Sequence, residues 1–430
     1  MLRLSSSDPG FASAFAQLVA DRRESDSDVA GQVAAIIADV RARGDAVLAE
    51  LTERFDHHTL SSEADWRISP EACHEAYDAL EPRLRAALEL AATRIRAYHA
   101  AQLPEDRDYT DAQGVRLGAH WLPVDAAGLY VPGGRAAYPS SLLMNAIPAK
   151  VAGVARLVVV TPTPDGEWNP LVLAAAHIAG VDELWRVGGA HAVAALAYGT
   201  ERIKPVDVIT GPGNAYVAEA KRQLFGVVGI DMVAGPSEIL VIADANNDPV
   251  WIAADLLSQA EHDPVAQSIL ITDDAAFADA VAEAVEAELA NLATQKVARE
   301  SWERFGTIIT VASLDEAPAL ANALAAEHVE IATDDPQALF AAIRHAGSIF
   351  LGRHTPEAIG DYVAGPNHVL PTGRRARFAS GLSVLDFMKR TSFIELDSTA
   401  LAAIGPAAVA LADAEGLPAH GRSVSVRLTP

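Results

Sequence analysis

Apolar positions along the chain follow two different periods, and the change between them predicts how the chain is organised. Up to about residue 125, apolar residues recur every three or four positions over 11–22, 29–40, 47–55 and 82–102. This spacing is typical of amphipathic helices. Ser and Asp residues at 25–28 would cap the second of them. No chemistry stands out in this region, which we interpret as mostly architectural.

From residue 127 onwards, short apolar runs alternate with helical patterns. The runs at 157–160, 238–244, 268–272 and 327–333 are typical of buried strands, and helices are expected between them, for example over 250–261 and 275–296. Apolar strands separated by helices form parallel sheets with helices on both faces. The pattern therefore predicts an α/β fold.

Glycine turns follow several of the predicted strands. They lie at 133–135, at 188–191 (Gly-Gly-Ala-His) and at 211–214 (Gly-Pro-Gly-Asn), and none of them is a GxGxxG fingerprint. Turns at the carboxyl ends of parallel strands form the rim where open α/β sheets bind nucleotides. From the pattern alone, a nucleotide-binding rim and plain turn chemistry remain equally open.

Composition narrows the class of protein. A chain of 430 residues predicts two or three globular units, and a net charge of −24 argues against a nucleic-acid partner. The single cysteine, Cys73, lies in a helical pattern and is expected to be a small core residue rather than a nucleophile. The start of the sequence lacks a signal-peptide pattern, and the longest apolar run, at 400–412, is too short to span a bilayer. We expect a cytoplasmic enzyme without a membrane partner.

Polar residues at four places suggest a site, because each puts a histidine beside a carboxylate or an amide: Gln259/His262, Glu327/His328, Asp361/His368 and Glu415/His420. Gln259 and His262 are three residues apart at a helix end, where they would share one face as two arms of a metal site, as a solvated helix end or as a satisfied buried polar pair. Glu327 and His328 lie where a helix passes into a strand, and they would suit a base and a water-orienting carboxylate. Chance proximity is the alternative, because 13 histidines and 57 acidic residues produce some neighbours.

Several motifs, in order, closely resemble the histidinol dehydrogenase family. They are LYVPGG (129–134), MNAIPAKVAGV (144–154), GPGNAYVAEAKRQ (211–223), AGPSEILVIAD (234–244), LLSQAEH (256–262), EHVEIAT (327–333), GDYVAGPNHVLPT (360–372), GLSVLDFMKRTS (381–392) and EGLPAHGRSV (415–424). The resemblance implies a zinc-dependent homodimer that oxidises L-histidinol to L-histidine in two NAD-linked steps, the last of histidine biosynthesis.

The resemblance also implies roles for individual residues. One zinc ion per subunit would be held by Gln259, His262, Asp361 and His420, with His420 supplied by the other subunit. Glu327 and His328 would be the catalytic pair. Substrate contacts would come from Ser237, Gln259, His262, His328, Asp361, His368, Glu415 and His420, and NAD contacts from Tyr130, His191 and Asn214. His191 departs from the family, which usually has Gln there, so the local NAD geometry is in doubt.

The resulting fold expectation is two Rossmann-like α/β/α domains without GxGxxG, a small helical arm and a tail domain, in an intertwined homodimer. Residues 1–25 would form the arm, and 26–129 with 237–381 the first domain, which carries the metal and catalytic residues. Residues 130–236 would form the NAD-binding domain, and 382–430 a tail that contributes to the partner's active site.

Three other functions compete with this interpretation. A relative that oxidises another small polar alcohol, such as a sulfonated diol, would keep the acid/base pair but change the substrate contacts; His368 and Glu415 favour histidinol. A zinc hydrolase is disfavoured because the chain lacks HExxH. A non-catalytic nucleotide-binding module would have no use for four metal ligands.

Overall fold

The computed structural model of the chain describes residues 1–21, 29–133, 138–233 and 235–428. The predicted helix cap at 25–28 and the last two residues of the glycine turn at 133–135 lie outside these residues. Two six-stranded sheets and one three-stranded sheet form within the described ranges. The predicted α/β class with parallel sheets is confirmed.

The first sheet is parallel throughout. Its strands, in spatial order, are Leu2–Ser5, Thr307–Thr310, Gln267–Thr272, Glu238–Ala243, His328–Ala332 and Ser348–Leu351. Alternate residues of its central strand enter different apolar clusters: Ile239 and Val241 on one face, Leu240 and Ile242 on the other. The helices that cover the two faces are Phe11–Ala20, Pro249–Ala260, Ala275–Leu289, Gln295–Phe305, Ala317–Leu324 and Pro336–Ala342.

The second sheet has the same architecture with one antiparallel edge strand. Its order is Arg67–Ile68, Glu183–Trp185, Arg156–Val160, Ala126–Tyr130, Val208–Thr210 and Gly229–Ile230, and Arg67–Ile68 is the antiparallel member. The helices around this sheet are Val29–Arg43, Asp45–Asp56, Glu63–Trp66, Pro70–Asp78, Pro82–Ala100, Pro139–Ala152, Pro170–Ala179, Gly189–Tyr198 and Ala215–Leu224.

An antiparallel sheet and two helices complete the described chain. The sheet consists of Met388–Glu395, Arg116–Pro123 and Arg107–Thr110. Ser398–Ala414 and Pro418–Leu428 are helices that pack on each other. Shorter elements are the helix Ala358–Tyr362 and the 3-10 turns Pro164–Gly166, Leu314–Glu316, Arg375–Arg377 and Val384–Phe387. None of the helices in the described ranges has the length and apolar content that a bilayer crossing requires.

Two details differ from the sequence expectations. The N-terminal arm is not only helical, because Leu2–Ser5 pairs with Thr307–Thr310 as an edge strand. The single helix expected over 275–296 is two helices separated by a turn at 290–294. In both cases local periodicity was the only guide, and it reports neither a distant strand partner nor a change of helix direction.

Sheet membership also differs from the expected domain division. The boundary at 129/130 falls inside the strand Ala126–Tyr130, which lies within the second sheet. Val33 and Val47, from the preceding helices, pack in an apolar cluster with residues of that same sheet. Residues 29–100 and 126–129 are thus associated with the second sheet rather than the first, while 107–110 and 116–123 belong to the antiparallel sheet. The assignment of separate tasks to the two α/β units stays a prediction.

Candidate active site and metal centre

The predicted catalytic pair lies at the amino edge of the first sheet. His328 opens the strand His328–Ala332, is paired in register with Ile239, and is 4% exposed. Glu327 directly precedes it and is buried as well. Open α/β sheets usually bind ligands at the opposite, carboxyl edge. The pair is therefore placed by the start of a strand rather than by a glycine turn.

Hydrogen bonding fixes which nitrogen of His328 can act as a base. Nδ1 lies 3.1 Å from the backbone oxygen of Glu238, and a carbonyl oxygen can only accept, so Nδ1 carries the proton. Nε2 is buried and has no hydrogen-bond partner among the residues that the structure describes. Burial lowers the pKa of His328 below its usual value. A neutral imidazole with a free lone pair on Nε2 results.

Glu327 is held by one backbone group of the neighbouring strand. Its Oε2 accepts a hydrogen bond from the backbone N–H of Glu238 at 3.0 Å and lies 3.7 Å from Nδ1 of His328. Burial, followed by the nearby carboxylates of Glu238, Asp361 and Glu357, raises the pKa of Glu327 well above its ordinary range. Its carboxylate, once formed, is a stronger base than an exposed glutamate.

His328 and two acidic side chains beside it form the metal-binding candidate of the described residues. His328, Glu357 and Asp361 each offer a ligand atom, and these atoms lie within 4.8 Å of one another. Nε2 of His328 is 3.5 Å from Oε1 of Glu357. Burial and the neighbouring carboxylate of Glu357 raise the pKa of Asp361 to about 8. A buried and a half-buried carboxylate at this separation favour a cation between or beside them.

The other predicted ligand of the first sheet, Gln259, is fully buried on the last turn of Pro249–Ala260. Neither its Oε1 nor its Nε2 has a hydrogen-bond partner within the described ranges. A buried amide without partners is costly, and a metal ion coordinated by Oε1 would compensate for it. Exposed His262 follows the helix.

His368 and Asp361 line one cavity with His328. Nδ1 of His368 lies 3.7 Å from Oδ1 of Asp361, and burial lowers the pKa of His368 to about 4. The cavity has a volume of about 210 Å³, and its wall includes Phe350 and Asn367. A largely apolar pocket of this size with a few polar side chains, here two imidazoles and a carboxylate, can orient a small molecule.

His420 and Glu415 are not brought to this cavity within one chain. Both are exposed on the two C-terminal helices and line a separate, open cavity of about 620 Å³ with Leu411 and Leu417. The first α/β unit thus carries three of the four predicted zinc ligands, namely Gln259, His262 and Asp361. The fourth, His420, lies on a C-terminal helix. Nitrogen and oxygen ligands of this kind suit zinc, so the residue set fits the metal.

The predicted NAD residues lie around the glycine turns at the carboxyl edge of the second sheet. The hydroxyl of Tyr130 accepts a hydrogen bond from the backbone N–H of Gly189 at 3.0 Å, and burial raises its pKa to about 12. Asn214 caps Ala215–Leu224, since its Oδ1 accepts from the backbone nitrogens of two residues in the first turn. These turns are the nucleotide-binding candidate.

His191, which departs from the family pattern, is buried on the first turn of Gly189–Tyr198. Its Nε2 has no hydrogen-bond partner in the described part of the chain, and burial lowers its pKa to about 4. It is therefore a neutral imidazole and adds no positive charge to this rim.

Sequence reasoning missed three acidic residues beneath the catalytic pair. Glu330 lies two positions after His328, on the same face of the strand, and burial raises its pKa to about 10. It is hydrogen-bonded to Asp255, whose pKa burial raises to about 6. Glu357 accepts from the hydroxyl of Ser258 at 3.1 Å. A glutamate inside an apolar strand was a usable signal for Glu330, whereas Glu357 lies in a region without periodicity.

Comparisons with known proteins agree over the whole length. The family model for histidinol dehydrogenase matches residues 19–428. Histidinol dehydrogenase of Zymomonas mobilis is 64% identical over 428 residues, covering 100% of this chain and 99% of that protein. The one from Ruegeria pomeroyi is 64% identical over 425 residues, covering 99% and 98%.

A solved structure has the same fold along the entire chain. The crystal structure of histidinol dehydrogenase from Elizabethkingia anophelis has a TM-score of 0.94 and 34% identity, covering 100% of this chain and 98% of that one. Together with the buried acid/base pair, the metal-type cluster and the glycine turns, these matches establish that the chain belongs to the histidinol dehydrogenase family.

Proposed function

We propose how the residues of this chain divide the work of the family's reaction. The chain is an NAD- and zinc-dependent oxidoreductase of histidine biosynthesis that converts L-histidinol to L-histidine. The observation that carries the residue assignment is the orientation of His328. Its Nδ1 donates to the Glu238 carbonyl, its Nε2 has no hydrogen-bond partner among the described residues, and the residue lines the cavity that Asp361 also lines.

In the first oxidation, Nε2 of His328 takes the hydroxyl proton while hydride leaves the alcohol carbon for NAD, giving the aldehyde. In the second, Glu327 takes a proton from the water molecule that adds to the aldehyde, and the hydrate then loses its own hydride to a second NAD. The raised pKa of Glu327 suits this step, because its carboxylate holds a proton strongly. No cysteine is needed, and Cys73 is buried in a helix away from these residues.

We assign the zinc ion to Gln259, His262 and Asp361 of one subunit and to His420 of the other. When bound, zinc orients the substrate and neutralises the carboxylate beside it. Glu415, which lies between the two C-terminal helices, would hold the substrate amine. Ser237 and His368 would contact the rest of the substrate. This assignment is supported by the partnerless buried amide of Gln259 and by the location of Glu415 and His420 in a cavity of their own.

We assign NAD to the carboxyl edge of the second sheet, with contacts from Tyr130, His191 and Asn214. The first α/β unit then carries the metal and acid/base groups, and the C-terminal helices serve the partner subunit. The proposal includes a cytoplasmic homodimer with shared sites and no nucleic-acid partner, in keeping with a net charge of −24. Oxidation of a sulfonated diol is not favoured, since the similar proteins are histidinol dehydrogenases.

The reaction can be tested with partial substrates. The purified protein with zinc and NAD should form about two NADH per L-histidinol consumed. His328→Ala should abolish hydride transfer from the alcohol, whereas Glu327→Gln should mainly slow oxidation of added histidinaldehyde. His354→Ala is the control, since His354 is exposed and does not line the cavity. Equal, mild losses of both half-reactions in the two variants would contradict the assigned roles.

The shared site can be tested by mixing two inactive variants. If His420 serves the partner, a hybrid of Gln259→Ala and His420→Ala subunits contains one intact site. A randomly mixed dimer population should then recover about a quarter of the wild-type activity. If each chain supplied its own His420, every site in the hybrid would lack one ligand. Absence of recovery in a confirmed hybrid would therefore contradict the assignment.

A further inference from the structure

A buried ion pair lies directly behind one of the glycine turns of the second sheet. Lys221 projects from the helix Ala215–Leu224, and Asp231 follows the edge strand Gly229–Ile230. Their side chains are 2% and 1% exposed, and the ammonium contacts the carboxylate directly. None of the roles assigned above uses either residue.

Both charges also bind the backbone of a single glycine. Nζ of Lys221 donates to the carbonyl oxygen of Gly211 at 2.9 Å, and Oδ2 of Asp231 accepts from the N–H of the same residue at 2.9 Å. The other carboxylate oxygen accepts from the backbone N–H of Met232 at 2.6 Å. The ion pair therefore binds both the N–H and the C=O of Gly211, and we call this arrangement the clamp.

Gly211 cannot be replaced or easily moved. Its φ is +110°, a conformation that favours glycine, and a Cβ built there would lie 2.2 Å from the carbonyl oxygen of Tyr130. The turn that starts at Gly211 ends at Asn214, whose side chain caps the helix. The clamp thus sets the position of a turn that touches Tyr130 at one end and carries Asn214 at the other.

Stability alone gives little reason to bury these charges. Removing two ions from water costs several kcal/mol each, and apolar pairs of similar volume commonly give equal or greater stability. An apolar pair could not, however, bind the N–H and the C=O of one residue. The ion pair supplies what an apolar pair cannot: charge-assisted hydrogen bonds of fixed direction to the backbone of the turn.

We propose that Lys221 and Asp231 are positioning residues for the NAD-binding turn at 211–214. The inference rests on the proposed function, which places NAD contacts at Tyr130 and Asn214. Precise placement of a turn matters for a cofactor site because small displacements of the contacting groups lose binding. The pair acts through Gly211 and does not itself touch the reacting atoms.

The expected effect is a selective loss of NAD binding. In Lys221→Met, the KM and the directly measured Kd for NAD should rise by about tenfold or more, which corresponds to about 1.4 kcal/mol. The KM for L-histidinol and the zinc content should stay within about twofold, a margin that corresponds to about 0.4 kcal/mol. A purely structural defect would lower the active fraction without separating the two KM values.

The matched control is Lys150→Met. Lys150 also lies on a helix of the second sheet, forms an ion pair with Asp182 at 2.8 Å and loses the same charge, but it is 23% exposed and its amine binds no glycine turn. If Lys221→Met is insoluble, the double variant Lys221→Met/Asp231→Asn leaves no unpaired buried charge and should show the same selective change.

Failure of this inference can be separated from failure of the proposed NAD site. Asn214→Ala reports on the site itself and should weaken NAD binding. If it does so while Lys221→Met and the double variant bind NAD like the wild type, the positioning role is overturned and the site stands. If neither Asn214→Ala nor Tyr130→Phe changes NAD binding, the proposed site is overturned. Equal changes in both KM values would also overturn the positioning role.

Discussion

Zinc affinity should depend steeply on pH because of Asp361. Burial and the adjacent carboxylate of Glu357 raise the pKa of Asp361 to about 8, so the empty site holds a proton at neutral pH. A carboxylate must lose that proton to coordinate zinc. Apparent affinity should therefore rise about tenfold per pH unit up to about pH 8, or about a hundredfold and 2.7 kcal/mol from pH 6.

Isothermal titration of the zinc-free protein measures both parts of this expectation. Affinity should increase between about pH 6 and 8, and near pH 7 titrations in buffers of different ionisation enthalpy should show a released proton in excess of that from histidine ligands. Asp361→Asn is the control, since it cannot release that proton. A wild-type affinity that stays flat above about pH 6.5 would refute the reasoning.

The same group predicts how stability changes without zinc. The pKa of Asp361 is raised in the folded state above the unfolded value of about 3.9. Between these two pKa values the folded protein binds more protons than the unfolded chain. The free energy of unfolding must therefore fall as pH rises toward about 8. Thermal unfolding of the zinc-free protein should show this decline, and Asp361→Asn should reduce it. An unchanged slope in the variant would assign the decline to other groups.

Two further predictions concern the surroundings of the site and the core of the first sheet. Glu357→Gln keeps the shape but removes the carboxylate whose Oε1 lies 3.5 Å from Nε2 of His328. That carboxylate stabilises the imidazolium formed once Nε2 takes the proton, so kcat should fall about tenfold to a hundredfold, which corresponds to about 1.4–2.7 kcal/mol, with the KM for NAD unchanged; steady-state kinetics with an unaltered kcat would contradict this. Trp302→Ala empties a fully buried position and should lower the free energy of unfolding by about 3–5 kcal/mol in urea titrations, whereas a loss below about 1 kcal/mol would show that the core refills the space.

The parts of the fold that the sequence predicted well are those with strong local signals. The strand predicted at 238–244 is Glu238–Ala243, and the helix predicted at 250–261 is Pro249–Ala260, because an uninterrupted apolar run and an Asp-Pro cap mark their limits. The antiparallel pairing of Arg116–Pro123 with Met388–Glu395 was not predicted. These mostly exposed strands lack a buried run, and their partners are far apart in sequence.

The candidate site was predicted unevenly for a similar reason. Adjacency in sequence made Glu327 and His328 visible, and helical spacing did so for Gln259 and His262. Only the family resemblance identified Asp361 and His420 as zinc ligands. Glu357 escaped notice because its importance arises only when a loop brings it to Nε2 of His328. Such tertiary proximity leaves no periodic trace in the chain.

The edge strand Leu2–Ser5 has a consequence for synthesis of the protein on the ribosome. Its partner, Thr307–Thr310, emerges some three hundred residues later, so Leu2–Ser5 must wait for that length of polypeptide before it can pair. The second sheet draws all its strands from residues 67–230 and can assemble meanwhile. Nascent chains stalled before residue 307 should therefore contain the paired strands of the second sheet, while Leu2–Ser5 stays unpaired and within reach of proteases.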